Sequence, residues 1–260
     1  MTVPKEVMEL VAGSGNSFHA RVARWLSENG WHVTISPYYM DQTQGKAREI
    51  DLIAERLWPT YDAFGRHENY VAARMFIECK FVAAEAAFWF TDKDRGAAMS
   101  LVCGTAPFQS GNSYTNEHHY LATSPRVAKL FASANNKTSE NEPFYKALNQ
   151  ALNAMVSMRG RSLTHPDLTK NRRSVVATLD MPVVVCSAFD KLYAVDFFGD
   201  TPPTSIAENF QLEVSYAYVD SASRQHNDYF LLDFVSFDKL QEFSGAMEKG
   251  AAAAATLSSS

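Results

Sequence analysis

Three cysteines in 260 residues, Cys79, Cys103 and Cys186, are too few, too scattered and odd in number to form a disulfide framework. No Cys-x-x-Cys pair occurs, and the pattern points to reduced thiols and a cytoplasmic protein. No run of about 18 apolar residues is present, which leaves out a helical membrane span. The opening Met-Thr-Val-Pro-Lys-Glu lacks the apolar stretch of a secretory signal. Positive charge is also short: 24 Lys and Arg stand against 29 Asp and Glu, a net −5. That is not the balance of a dedicated non-specific DNA binder, although a local basic groove can coexist with acidic metal ligands. The order G-x-x-x-x-G-K-[ST] is missing, so the glycine turn at 13 to 15 is not a phosphate-cradling loop. Glu117-His118-His119 has no further ligand at zinc spacing, and no Ser-His-Asp or Cys-His arrangement can be assembled.

What the chain does have is apolar residue in plenty, 46% against 20% charged, enough for a sizeable core. We expect one α/β domain over residues 1–250 with a mixed central β-sheet flanked by helices, followed by a low-complexity tail at 251–260 that frays. Val7 to Val11 is a short amphipathic piece. Asn16 or Ser17 caps a helix whose buried stripe is Val22, Trp25 and Leu26, and which stops at Gly30. Val33 to Ser36 reads as a strand. Asp92 to Gly96 opens a short helix ending near Gly104, and a second short helix is expected within Leu121 to Phe131. Residues 134 to 141 read as a polar, mobile stretch. Phe144, Leu148, Leu152, Met155 and Val156 recur at helical steps from Glu142-Pro143 to Gly160. Apolar, β-branched runs at 174–179 and 182–187 read as strands, with 192–197 as hairpin partner to the second. Further strands follow at 212–219 and 229–235, and a final helix at 237–247. Phe88, Trp89 and Phe90 form an aromatic cluster suited to a core, a lid or base stacking.

The informative residues are two acidic strand-like segments, Arg48 to Ala54 and Met75 to Lys80. Alternation in a strand puts Glu49 and Asp51 on one face, Glu78 and Lys80 on one face, and Ile50, Leu52, Ile77 and Cys79 toward a core. Paired as a hairpin, they gather three carboxylates and an ammonium at one sheet edge. Carboxylate oxygens suit Mg2+ or Mn2+, and a neighbouring lysine can hold or help deprotonate an attacking water. Residues 56 to 74 between them form a long insertion placed to shape substrate access.

The order Asp51, long hairpin, Glu78-Cys79-Lys80 resembles the PD-(D/E)XK restriction-endonuclease-like nucleases. Upstream, the helix at Asn16-Ser17-Phe18-His19, the Gly30-Trp31 turn and the following strand are similar to the Mrr-like and Holliday-junction-resolvase-like branches, a match over roughly residues 13 to 82. The resemblance implies a restriction-endonuclease-like fold and a metal-dependent nuclease, with DNA favoured over RNA as substrate and a homodimer as one arrangement. It implies Asp51, Glu78 and the backbone carbonyl of Cys79 as Mg2+ (or Mn2+) ligands and Lys80 as the residue that positions water. The helix after the motif strands is similar to the family's crossover helix. The chain departs from the pattern at Ile50, where the family has proline, and at His19, where many relatives carry a glutamate. His19 is left to contact phosphate or to pack. Glu49, His19 and Gln150 are supporting candidates, Glu49 having the alternative of pairing with Arg48 or Lys46. Asp41 is a supporting carboxylate or a turn residue. Lys46, Arg48, Arg159, Arg161, Lys170, Arg172 and Arg173 are candidates for a substrate groove, Lys46 and Arg48 foremost. A non-catalytic module of the same fold, binding nucleic acid or a partner chain, is the rival reading.

Overall fold

The structure, a computed structural model, describes residues 3–13, 15–134, 143–159, 161, 165–171, 173–220 and 222–259. The chain opens with α1 (Lys5–Gly13) and α2 (Asn16–Glu28), then β1 (His32–Ile35) and a small hairpin of β2 (Tyr38–Asp41) and β3 (Lys46–Glu49). Two long strands follow, β4 (Leu52–Tyr61) and β5 (His67–Lys80), then β6 (Ala86–Asp92), α3 (Arg95–Cys103), α4 (His119–Ala122) and β7 (Arg126–Ser133). After α5 (Pro143–Met158) and α6 (Pro166–Asn171) come β8 (Val175–Cys186), β9 (Leu192–Asp196), β10 (Thr204–Ser205), β11 (Phe210–Val219), β12 (Gln225–Ser236) and α7 (Leu240–Leu257).

Ten of these strands form one mixed sheet in the order β1-β4-β5-β8-β12-β11-β7-β6-β9-β10, and β2 pairs only with β3. The neighbours β5–β8, β8–β12, β11–β7 and β6–β9 are parallel. Residues alternate between two cores, one on each face. In β8, Val183 and Val185 pack beneath α2 and α7, whereas Val184 and Cys186 pack beneath α5. That double burial is why β8 reads as a continuous apolar run. The helical stripe of α5 (Phe144, Leu148, Leu152, Met155) covers the second core, as its spacing predicts. There Phe88 meets Phe131, Phe144, Phe210 and Phe234, so Phe88 and Phe90 are core residues rather than a stacking surface.

Local signals place several boundaries. Gly30, at φ +83°, ends α2 in the left-handed conformation that glycine adopts without strain. Asp94 caps α3 by accepting from the Ala97 N–H at 2.9 Å. The cap of α2, however, is Gly15 with no side-chain bond; Ser17 donates back to the Val11 carbonyl instead.

Other expectations give way. Leu121 and Ala122 end α4, but from Arg126 the segment forms the strand β7 instead of a helix, because β6 offers it an antiparallel edge. Leu192 to Asp196 pairs with β6 and β10, not with β8. The runs at 174–179 and 182–187 join into a single strand, β8, through Pro182. The insertion at 56–74 is an antiparallel ladder with a register shift between Pro59 and Tyr61, closed by a turn at Asp62–Arg66. At about 3.3 Å per residue its tip lies roughly 30 Å from Asp51, so it does not shape access to the acidic cluster. The alanine-rich tail does not fray: α7 runs to Leu257 with Ala251, Ala253, Ala254 and Ala255 buried against β4 and β5. Alanine is the strongest helix former, and its small side chain allows close approach to the sheet. The stretch at 134–141 falls, apart from Ala134, outside the described residues, as do Glu142 and Gly160.

Candidate metal centre at the end of the β4–β5 hairpin

The antiparallel register Leu52↔Ile77 brings Asp51, one residue before β4, level with Glu78 near the end of β5. The Cys79 N–H donates to Asp51 Oδ2 at 2.8 Å, fixing that carboxylate to the strand. From α2, His19 Nε2 reaches the same oxygen at 3.2 Å, an ion pair when the imidazole is protonated. Glu78 follows Phe76 on the α5 face and is only 2% exposed, with Oε1 buried and, among the described residues, unpartnered. Burial pushes its pKa from 4.5 up to about 8, and the Asp51 carboxylate adds to this; Lys80, the Asp51 backbone N–H and Lys146 pull the other way. Without a cation, Glu78 holds a proton at neutral pH. Cys79 is buried on the opposite face, and burial, with Asp51 and Glu78, keeps its thiol far above the ordinary range. It is therefore a neutral thiol and not a nucleophile.

Asp51 lies level with Glu78 in the strand register, and its carboxylate is within reach of the donor atoms of His19 and Cys79. Asp51 and Glu78 are hard oxygen donors of the kind Mg2+ and Mn2+ take. His19, Asp51 and the Cys79 thiol have donor atoms within 4.8 Å of one another, a mixed set that a softer divalent ion accepts. An ionised carboxylate without a partner is costly in a protein interior. The orphaned oxygen of Glu78 therefore fits a cation: a proton or a metal ion resolves it.

The other sequence candidates divide. Glu49 does not share a face with Asp51, because β3 ends at Glu49 and β4 begins only at Leu52. Across the break, Ile50 joins the α5-side core and Leu52 the α2-side core, so strict alternation fails there. Glu49 instead faces Tyr38 across the small hairpin and raises that phenol's pKa through a side-chain hydrogen bond. Gln150 donates to the Glu49 carbonyl at 3.2 Å and contacts neither motif carboxylate; it fastens the small hairpin to α5. Arg48 is engaged by an ion pair without hydrogen-bond geometry, its Nε 2.8 Å from the buried Asp41 carboxylate, which accepts from the Gln44 N–H and from Asn153. Asp41 is thus a turn residue and a buried anchor. Lys46 is exposed on the same hairpin.

The remaining basic candidates lie away from the carboxylates. Cys186, not Val175, is the register partner of Lys80, so Lys170 and Arg173, just before β8, belong to the far end of the sheet. Arg159 packs over Phe230 beside an open cavity of about 840 Å³ on that side. Arg161 sits just past α5, whose final carbonyl, Met158, is held by Arg74, six residues back from Lys80. Arg172 is outside the described residues. The cation that sequence reasoning missed is Lys146, exposed on α5 and close enough to Glu78 to lower its pKa. Its only signal was its place opposite the apolar stripe of α5.

The chain matches no protein-family model, no curated protein and no solved structure. The architecture stands as an α/β fold with a large mixed sheet flanked by helices. Among the described residues no helix is long and apolar enough to cross a membrane.

Proposed function

We propose that this protein is a metal-dependent nuclease of the restriction-endonuclease-like kind, acting on DNA. The observation that carries the reading is Glu78: a buried carboxylate with an unpartnered oxygen, level with Asp51 and two residues before Lys80. In this reading Asp51, Glu78 and the Cys79 carbonyl hold Mg2+ or Mn2+. When bound, the ion supplies Lewis-acid polarisation of a phosphodiester and lowers the pKa of water. The protein's own groups do the rest. The Cys79 N–H and His19 orient the Asp51 carboxylate. Glu78 would serve as a ligand in its ionised form, its proton passing to solvent water. Lys80 positions the attacking water and offsets charge that develops on the phosphate oxygens. Lys146, whose charge is felt at Glu78, would add positive potential for a neighbouring phosphate. The cytoplasm, where foreign or damaged DNA is met, is the compartment that suits this activity.

The test is cleavage of supercoiled plasmid, with linear duplex, single-stranded DNA and RNA alongside, in Mg2+, Mn2+ and EDTA. Metal-dependent nicking should fall at least 100-fold in Lys80→Ala. Equal nicking by wild type and Lys80→Ala refutes the assignment of the site. A second reading has its own observation: the His19–Asp51 pair already occupies one motif carboxylate. A folded protein that binds DNA without cutting it in any metal would establish that non-catalytic reading instead.

A further inference from the structure

A second buried polar cluster lies on the α4–α7 face, and the nuclease reading makes no use of it. His119, 3% exposed at the start of α4, holds Nε2 at 2.9 Å from Asp233 Oδ2. The other oxygen of Asp233 accepts from Gln211 Nε2 at 3.1 Å. Turning the Gln211 amide over would set its oxygen against a carboxylate, so the orientation is chemically fixed. It leaves Gln211 Oε1 buried and, among the described residues, without a hydrogen-bond partner. Buried acceptors are rarely left so, and each asks for a donor.

These three side chains are walls of a cavity of about 360 Å³, a size that holds a small molecule. Phe210 and Phe243 supply aromatic wall, and the exposed Glu242 carboxylate stands at the mouth. Among the described residues no lysine or arginine lines it; Lys239 is paired with Glu208, and Lys93, whose charge reaches Asp233, spends its ammonium on the carbonyls of Tyr120 and Thr123. Acceptors and carboxylates facing aromatic surface favour a cation that donates N–H bonds, whereas the ammonium groups nearby are already engaged and leave an anion little counter-charge. We propose that this cavity binds a small organic cation bearing N–H donors, of the alkylguanidinium or alkylammonium class.

The experiment is titration of the full chain with methylguanidinium, ethylammonium, adenine and acetate, followed by calorimetry and ligand-observed NMR. For ligands this small, a dissociation constant of about 1 mM is expected for one or both cations. Gln211→Met should weaken that binding about tenfold, as loss of one buried acceptor implies. Ala246→Phe, which fills the cavity from α7 without touching a polar group, should abolish it. The proposal is overturned if neither cation binds saturably, if adenine or acetate binds in their place, or if binding survives Ala246→Phe. Should Gln211→Met fail to fold, the Ala246→Phe result decides alone. Plasmid cleavage does not enter the readout, so failure here leaves the nuclease reading where it stands.

Discussion

Replacing Glu78 by glutamine should stabilise the metal-free protein at pH 8 relative to its effect at pH 4. Glu78 titrates at 4.5 in an unfolded chain and at about 8 in the fold, because burial and Asp51 disfavour its charge. Below pH 4.5 the carboxyl is protonated in both states and contributes nothing. Between 4.5 and about 8 the unfolded chain has released the proton that the folded chain still holds. Stability therefore falls as pH rises through this window and levels off above it. At about 1.4 kcal/mol for each tenfold change in proton affinity, the full loss is about 5 kcal/mol. Glutamine cannot ionise, so the variant escapes that loss, a gain of roughly 10 °C or more in Tm for a chain of this length. Any packing cost of the amide is independent of pH and cancels when two pH values are compared. The assay is urea or thermal unfolding of both proteins in EDTA at pH 4, 6.5 and 8. Mg2+ added at pH 8 should raise the wild-type Tm and close the gap, with little effect on the variant. A stability difference that is flat across pH would refute the reasoning, since it would mean that Glu78 is solvated and ionises normally.

Three further outcomes test the packing that holds the site in place. Arg74, 3% exposed, forms a two-pronged ion pair with Asp180 at 2.8 and 3.0 Å, so Asp180→Ala should cost about 3–5 kcal/mol in urea unfolding by stranding the guanidinium. Arg48→Ala should cost about 3 kcal/mol, because Asp41 is 1% exposed and loses its counter-charge; unchanged stability with weakened DNA binding would return Arg48 to the substrate groove. Deleting residues 251–260 should cost about 3 kcal/mol or more, from the four buried alanine methyls of Ala251, Ala253, Ala254 and Ala255, and a neutral deletion would contradict their burial.

The sequence by itself determined what depends on near neighbours. The stripe of α5, the glycine stop of α2, the opening of α3 within Asp92 to Gly96 and the apolar run of β8 follow from backbone periods of 3.6 and 2 and from terminal groups that need partners. The Glu78-Cys79-Lys80 alternation was legible for the same reason, since β5 continues unbroken to Lys80. The buried thiols of Cys79 and Cys186 followed from their apolar surroundings. Tertiary structure decided the rest. Only contact between distant segments shows that Arg48 is taken up by Asp41, that His19 turns to Asp51, and that His119 finds Asp233 from 114 positions away. The strand break between Glu49 and Leu52 arises where the chain leaves the small hairpin to join the large sheet, and it sends Ile50 and Leu52 into different cores. The alanine tail looked like a frayed end because alanine carries little burial signal, and the surface of β4 and β5 that covers it is some 170 residues or more distant in the chain. Local preference fixes the period of an element, but which groups meet is set by pairings whose energy exists only once the sheet has formed.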